Sequence, residues 1–432
     1  MATYRVLVVD DSAFMRTIIS DLIKQDEQFV IAATATNGAE AVAAAAEHKP
    51  DVITMDLEMP VLNGIEALQL IMKQTPTPVI MLSGISEDNA RDTIKALQYG
   101  ALDFIRKPSM SKSGDIHQVG EQLLEKLRIA VFARRSKTGT LPERQKPETA
   151  AQTDIKPEPR IKAKQKPTET PPPSATPLHK AKLEPMPEEK RKSAAPKPAE
   201  KTAKLEKRPI AASGGLSSKQ PTVQPTAAQQ QAVRKAPGAG TFKHIVAIGT
   251  STGGPRALHE VICSLPSGFP APVLVVQHMP PKFTKSLAQR LDSFSALTVV
   301  EAEQGMRVSA GVVHVAPGGK HMELGKDAAG YFIRLTDQPQ RNGHRPSVDV
   351  MFESLLPFPE IEWHAVIMTG MGSDGAKGLK ALSDGGAATT IAESEETCIV
   401  YGMPRAAVEC GAAQHVLPLH SIAGRLASTI LT

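Results

Sequence analysis

Two sets of residues in this chain combine types and spacing that can do chemistry. The first is acidic. Asp10-Asp11 close the apolar run Arg5–Val9, Asp56 closes the run in DVITMDLEMP, Ser83 follows Val79–Leu82, and Lys107-Pro108 follow Leu102–Ile105. Three carboxylates at one edge repel each other unless a cation joins them. All-oxygen donors suit Mg²⁺, which keeps several waters and accepts a phosphoryl oxygen readily. A lysine and a hydroxyl facing that place can hold the other phosphoryl oxygens. Acidic residues also end strands as caps for the next helix; that reading serves Asp10-Asp11 alone but not Asp10, Asp11, Asp56, Ser83 and Lys107 together.

The second set begins in IVAIGTSTGGP, residues 245–255. An apolar strand, Ile245 to Gly249, runs into two glycines and a proline fit for the first turn of a helix. No lysine is present for a phosphate loop, and Ser251 stands where a dinucleotide fingerprint needs glycine. The segment does fit G-x-S-x-G between strand and helix, the setting of a nucleophile elbow. Serines at helix starts are usually N-caps, so these five residues leave two readings, cap or nucleophile. A nucleophile needs a base, and the base an orienting acid. His278 ends the strand APVLVVQ, and Asp374 lies in the glycine-rich TGMGSDG after the strand Trp363–Met368. Among the other histidines, His314 and His364 fall within strand-like runs and read as core. His344, in RNGHRPSVD beside Arg341 and Arg345, reads equally as a contact for an acidic substrate or as a solvated turn.

The elements that must carry these residues are legible. Residues 4–130 alternate apolar runs (Arg5–Val9, Phe29–Ala35, Val52–Met55, Val79–Leu82, Leu102–Ile105) with amphipathic stretches (Ala13–Lys24, Gly38–His48, Gly64–Gln74, Glu87–Gln98, Ile116–Arg128). This predicts a (βα)5 unit around a parallel sheet, flavodoxin-like, with its polar site at the carboxyl ends of the strands. A second α/β unit, doubly wound, is expected over 242–432. Between them, 131–241 is expected to be a disordered linker. Residues 134–240 hold 23 basic and 10 acidic side chains and 17 of the 35 prolines, with no aromatic residue between Phe132 and Phe242. So little apolar surface cannot offset an ordering entropy of ~1–2 kcal/mol per residue.

The overall charge of +5 therefore divides into +13 on the linker segment and −8 elsewhere. The linker's charge fits an acidic surface such as anionic lipid, but it lacks the interleaved aromatics that stack on bases, so no specific nucleic acid is expected. No stretch approaches the ~18–20 apolar residues of a membrane span, and the N-terminus does not read as a signal peptide. Cys263, Cys398 and Cys410 are odd in number and lack metal-ligand spacing, which points to the reducing cytosol.

Residues 1–130 closely resemble the receiver domain of bacterial two-component response regulators. The resemblance implies Asp56 as the phosphorylated residue, Asp10 and Asp11 as the acidic Mg²⁺ pocket, and Glu58 as a donor of its backbone carbonyl to the metal. It also implies Ser83 and Phe104 at the switch positions and Lys107 as the family's lysine. The stretches GTSTGGP, VVQHMP, RPSVDVMF, TGMGSDG and CIVYGMPRAA resemble the catalytic domain of the chemotaxis protein-glutamate methylesterases, the CheB family. That resemblance implies Ser251 as nucleophile, His278 as general base and Asp374 as its orienting acid. It places the backbone N–H of Met371 in the oxyanion hole, with Thr252 nearby. It further implies hydrolysis of glutamyl methyl esters, and of certain glutamine amides, on chemoreceptors, with no cofactor for hydrolysis. A chemotaxis histidine kinase would donate the phosphoryl group, the enzyme would work in the cytoplasm beside receptor arrays, and the unphosphorylated receiver would pack over the active-site face. Two other classes fit parts of the sequence. An α/β-hydrolase would use a distal base such as His415, and a receiver with nucleic-acid-binding output would need a recognition helix, for which only the basic linker offers charge.

Overall fold

The computed structural model describes residues 3–84, 86–108, 113–138 and 242–432. The expected linker lies outside the described residues beyond Thr138. The N-terminal part alternates β1 (Tyr4–Val9), α1 (Ala13–Ile23), β2 (Phe29–Ala35), α2 (Gly38–His48), β3 (Val52–Asp56), α3 (Gly64–Gln74), β4 (Val79–Ser83), α4 (Glu87–Gln98), β5 (Asp103–Arg106) and α5 (Ser113–Thr138). Its five strands are parallel, in the order β2-β1-β3-β4-β5. Every residue of β3 and β4 is buried, as strands covered on both faces must be. Side chains of Ser12, Asn37, Asn63 and Ser86 cap the four helices that follow β1 to β4, with a capping box between Asn63 and Glu66. Helix α5 runs past residue 130, where the sequence suggested the end of the unit. Ala130, Val131 and Ala133 are buried against the receiver core, and the Arg134 Nη1 donates to the Pro50 carbonyl at 2.7 Å. Small apolar residues flanked by arginines carry that last turn, and they give little periodic signal.

The C-terminal part contains β6 (His244–Thr250), α6 (Gly254–Ser264), β7 (Val273–Gln277), α7 (Phe283–Asp292), β8 (Thr298–Glu301) and β9 (Val312–Val315). A hairpin, β10 (His321–Asp327) and β11 (Gly330–Thr336), follows, then α8 (Val348–Glu353), β12 (Glu362–Ile367), α9 (Ala376–Asp384), β13 (Thr389–Glu393), α10 (Met403–Glu409), β14 (His415–Leu417) and α11 (Leu419–Ile430). Seven strands pair in parallel in the order β14-β13-β12-β6-β7-β9-β8. The chain first winds outward from β6 through β7, then returns to place β12 on β6's other side. This reversal opens a crevice beyond the carboxyl ends of β6, β7 and β12, the place where doubly wound sheets bind ligands. Ser251, His278 and Asp374 follow those three strands.

Candidate active site

The turn after β6 is built by glycine. Gly253 has φ 81°, a left-handed conformation, and N-caps α6 with no side-chain hydrogen bond. Ser251 is therefore not the cap of this helix, which removes the bland reading of G-x-S-x-G. Its N–H donates to the Thr369 carbonyl at 3.0 Å, and its carbonyl accepts from Gly254 N–H and Gln277 Nε2. The loop after β12 presses close: a Cβ on Gly370 would lie 2.8 Å from the Ser251 Cβ and 2.4 Å from the Met403 Sδ. Only glycine permits that approach. The N–H groups of Thr252 and Met371 have no hydrogen-bond partner among the described residues, so both are free to meet an oxyanion.

His278 is held by its N–H on the Thr250 carbonyl, 3.1 Å, and by Asp374, whose Oδ2 lies 2.8 Å from Nε2. Both side chains are nearly buried, 6% and 1% exposed, so this pair is little screened by water. Asp374 receives more. Its Oδ2 accepts the Val348 N–H at 2.7 Å, and its Oδ1 accepts Ser347 Oγ at 2.8 Å and Asn342 Nδ2 at 2.7 Å. Burial alone would raise its carboxyl pKa. The bonds from His278, Asn342 and Val348 outweigh that and hold it below the usual carboxylate range. An ionised Asp374 accepts only, so Nε2 carries the proton and the lone pair sits on Nδ1. That Nδ1 is buried and has no hydrogen-bond partner, and the Ser251 hydroxyl makes no hydrogen bond among the described residues.

The loop before α8 supplies what the sequence reading left open. Arg341 and His344 bridge antiparallel around Asn342-Gly343, with φ 53° and 81°, the signs of a type I′ turn. The turn aims Asn342 at Asp374 and lays the His344 ring flat on His278, centroids 3.7 Å apart and planes 10° apart. Burial pushes the His344 imidazole down to about 4. It stacks as a neutral ring. Arg341 turns away to a bidentate pair with Glu353. The dipeptide Asn342-Gly343 was the available signal for the turn, but nothing local says which distant carboxylate it faces.

In the receiver the expected cluster assembles. Val9 pairs with Met55 and Asp56 with Leu82, which brings Asp10, Asp56 and Ser83 to one sheet end. Lys107 Nζ bridges Asp10 Oδ2 at 2.8 Å and Asp56 Oδ2 at 2.7 Å. Carboxylate oxygens of Asp10, Asp11 and Asp56 lie within 4.8 Å of one another, an all-oxygen set that fits Mg²⁺. Burial, with the Asp10 charge, raises the Asp56 carboxyl to about 6 against the pull of Lys107. Buried Ser83 Oγ accepts from Thr93 Oγ1 at 2.7 Å, and Glu58 is exposed beside the cluster.

Residues 6–118 match the family model of the response regulator receiver domain, and 246–426 match that of CheB methylesterase. A protein-glutamate methylesterase/protein-glutamine glutaminase of Geobacillus kaustophilus (strain HTA426) is 40% identical over 430 residues, covering 100% of this chain and 99% of the relative. The chain belongs to this family. A relative of the same name from Thermotoga maritima is 41% identical over 423 residues, covering 98% of this chain and 97% of its own length. The crystal structure of the Thermotoga maritima CheB methylesterase catalytic domain is 47% identical, covering 44% of this chain and 99% of that one, with a TM-score of 0.42. The two other classes drop out. His415 lies on the edge strand β14, three strands from β6, where its Nε2 meets Arg425. The comparisons assign the C-terminal part to a methylesterase, not to a nucleic-acid-binding output.

The family's two parts touch at the site. Thr252 Oγ1 donates to Asp103 Oδ2 of the receiver at 2.8 Å, and Lys126 pairs with the same oxygen. Phe104 stacks on Phe283 of α7, centroids 4.5 Å apart, and Arg290 Nε donates to Gln98 Oε1 at 2.7 Å. The residue next to Ser251 is thus engaged by the receiver, through the strand that carries Phe104. Asp103 carried no signal in the sequence, being one acidic residue among many. Half-buried Cys263, pushed up to about 11, and buried Cys398, raised further, are poor nucleophiles. Among the described residues no helix is long and apolar enough to cross a membrane.

Proposed function

We propose that this chain is a phosphorylation-activated serine hydrolase that removes methyl esters from glutamate side chains of chemoreceptors and deamidates particular receptor glutamines. The observation that carries the reading is the His278–Asp374 pair, which commits Nε2 and leaves a buried, unpartnered Nδ1 as the basic nitrogen. Ser251 Oγ attacks the ester carbonyl while His278 Nδ1 takes its proton; the hydrogen bond between them forms as substrate arrives. The N–H groups of Thr252 and Met371 hold the developing oxyanion. Asp374 keeps the tautomer and stabilises the imidazolium. His278 returns the proton to the departing methanol, or to ammonia from a glutamine. Water then attacks the acyl-enzyme with His278 as base, and glutamate is released.

Control is read from the receiver. Asp10, Asp11, Asp56 and the Glu58 carbonyl would hold Mg²⁺, which offsets phosphoryl charge as a chemotaxis histidine kinase loads Asp56. Phosphate then competes for Lys107 and draws on Ser83. The shift passes along β5 to Phe104 and Asp103, loosening their hold on Phe283 and Thr252. The enzyme works in the cytoplasm beside receptor arrays. Methanol release from methylated receptor, with and without a small phosphodonor, tests the reading. Ser251→Ala and His278→Ala should each lower turnover by several orders of magnitude, and Asp56→Asn should abolish the response to phosphodonor alone. Near-normal turnover in His278→Ala would overturn the assignment.

A further inference from the structure

At the opposite end of the catalytic sheet from Ser251, three metal-ligating side chains converge. His244 opens β6 and Glu362 opens β12, and the two residues are register partners. Partners across parallel strands share a face, and so do residues two apart on one strand. His364, two residues after Glu362, therefore joins them. His244 Nδ1 lies 3.2 Å from His364 Nε2 and 3.4 Å from Glu362 Oε2, and the three ligand atoms all lie within 4.8 Å of one another.

Those separations have a physical meaning. Tetrahedral ligands at ~2.0–2.1 Å from Zn²⁺ sit about 3.3–3.4 Å from each other. The two short distances match that edge length before any ion enters. Tautomer also favours it. His364 Nδ1 lies 3.2 Å from Thr389 Oγ1. With Nδ1–H donating to that hydroxyl, the Nε2 lone pair faces the cluster, the arrangement that orients metal-binding imidazoles. His364 is fully buried, so its ring is fixed in place by the surrounding sheet. Glu362 is 61% exposed in its side chain, which leaves an open fourth position for water.

We infer that His244, Glu362 and His364 form a Zn²⁺ site that staples the N-terminal ends of β6 and β12. Nitrogen and carboxylate donors suit Zn²⁺ better than Mg²⁺ or Ca²⁺, which prefer oxygen alone. In the metal-free state the His244 Nδ1–H donates to His364 Nε2; on binding, that proton leaves Nδ1 to solvent and Nε2 takes one up, so neutral His244 ligates through Nδ1 as its Nε2–H tautomer. The staple holds the first strand of the catalytic unit at its entry. It lies across the sheet from the reacting end, so its test does not depend on turnover.

The test uses metal-stripped full-length protein with excess Mg²⁺ to occupy the receiver carboxylates. Zn²⁺ is titrated against a chromophoric chelator, and Co²⁺ serves as a spectroscopic probe of coordination. One tight equivalent of Zn²⁺ is expected, with four-coordinate Co²⁺ bands and a raised unfolding midpoint. Glu362→Gln, at an exposed position, should weaken Zn²⁺ by more than about tenfold, and Thr389→Val by about 10–100-fold. His244→Gln should remove the equivalent and the thermal shift, while Asp56→Asn keeps both. The inference is overturned if wild-type chain takes up no Zn²⁺. It is equally overturned if His244→Gln and Glu362→Gln bind as wild type, or if Asp56→Asn is the variant that loses the ion.

Discussion

Asp103→Asn isolates the polar contact between receiver and catalytic site. Asp103 is 12% exposed in its side chain and receives the Thr252 hydroxyl at 2.8 Å. A hydrogen bond to a charged group contributes ~1.5–3 kcal/mol, and one between neutral groups ~0.5–1.5. Asparagine keeps the shape and removes the charge, so the docked state should weaken by roughly 1–1.5 kcal/mol, about five- to tenfold in the closed-to-open ratio. The Phe104–Phe283 stack and the Arg290–Gln98 bond remain, which keeps the effect partial. Methanol release from soluble methylated receptor fragments, without phosphodonor, should therefore rise about five- to tenfold. The rise should survive in the Asp56→Asn background, because it bypasses phosphorylation. Under saturating phosphodonor, Asp103→Asn and wild type should reach the same rate, because both are then open. A basal rate unchanged by Asp103→Asn, in a variant that still accepts phosphate on Asp56, would refute a gating role for this contact.

Three other outcomes follow from the same geometry. Asn342→Ala removes one of the bonds that pin Asp374; kcat should fall about tenfold with KM little changed, the loss of about one hydrogen bond to a charged group. Asp56, raised from 3.8 to about 6, costs stability when ionised. That contribution is fully favourable below pH 3.8 and is lost as pH rises through about 6. Without Mg²⁺, Asp56→Asn should raise receiver stability at pH 7.5 by up to about 3 kcal/mol, and thermal melts should find the gap closing below pH 4. A constant gap would contradict it. His314 is buried with no hydrogen-bond partner on either nitrogen among the described residues, and burial depresses its pKa to about 4. The neutral ring's stability, present above pH 6.5, drains away as pH falls toward 4. His314→Leu should stabilise the catalytic unit by ~1–3 kcal/mol at pH 7 and blunt its acid lability in denaturant titrations; an unchanged acid limb would count against the assignment.

By itself the sequence determined the elements and the edge on which chemistry would gather. Buried parallel strands read as continuous apolar runs, and helices as amphipathic stretches, so Phe29–Ala35, Gly38–His48, Gly64–Gln74 and Glu87–Gln98 coincide with β2, α2, α3 and α4. Polar residues just beyond apolar runs fall at carboxyl ends, so Ser251, His278, Asp374, Asp10, Asp56 and Lys107 were legible as candidates from position alone. Tertiary structure decided everything that depends on which loops meet. The type I′ turn at Asn342-Gly343 acquires its meaning only where β12 returns beside β6 and brings Asp374 under it. The nitrogen of His278 left free for a proton follows from which one Asp374 has taken. Asp103 reaches Thr252 across 149 positions, and His244 meets His364 across 120. Local sequence encodes periodicity and caps because those rest on neighbouring backbone bonds. A contact between distant loops rests on the packing of whole sheets, and no single stretch of residues contains it.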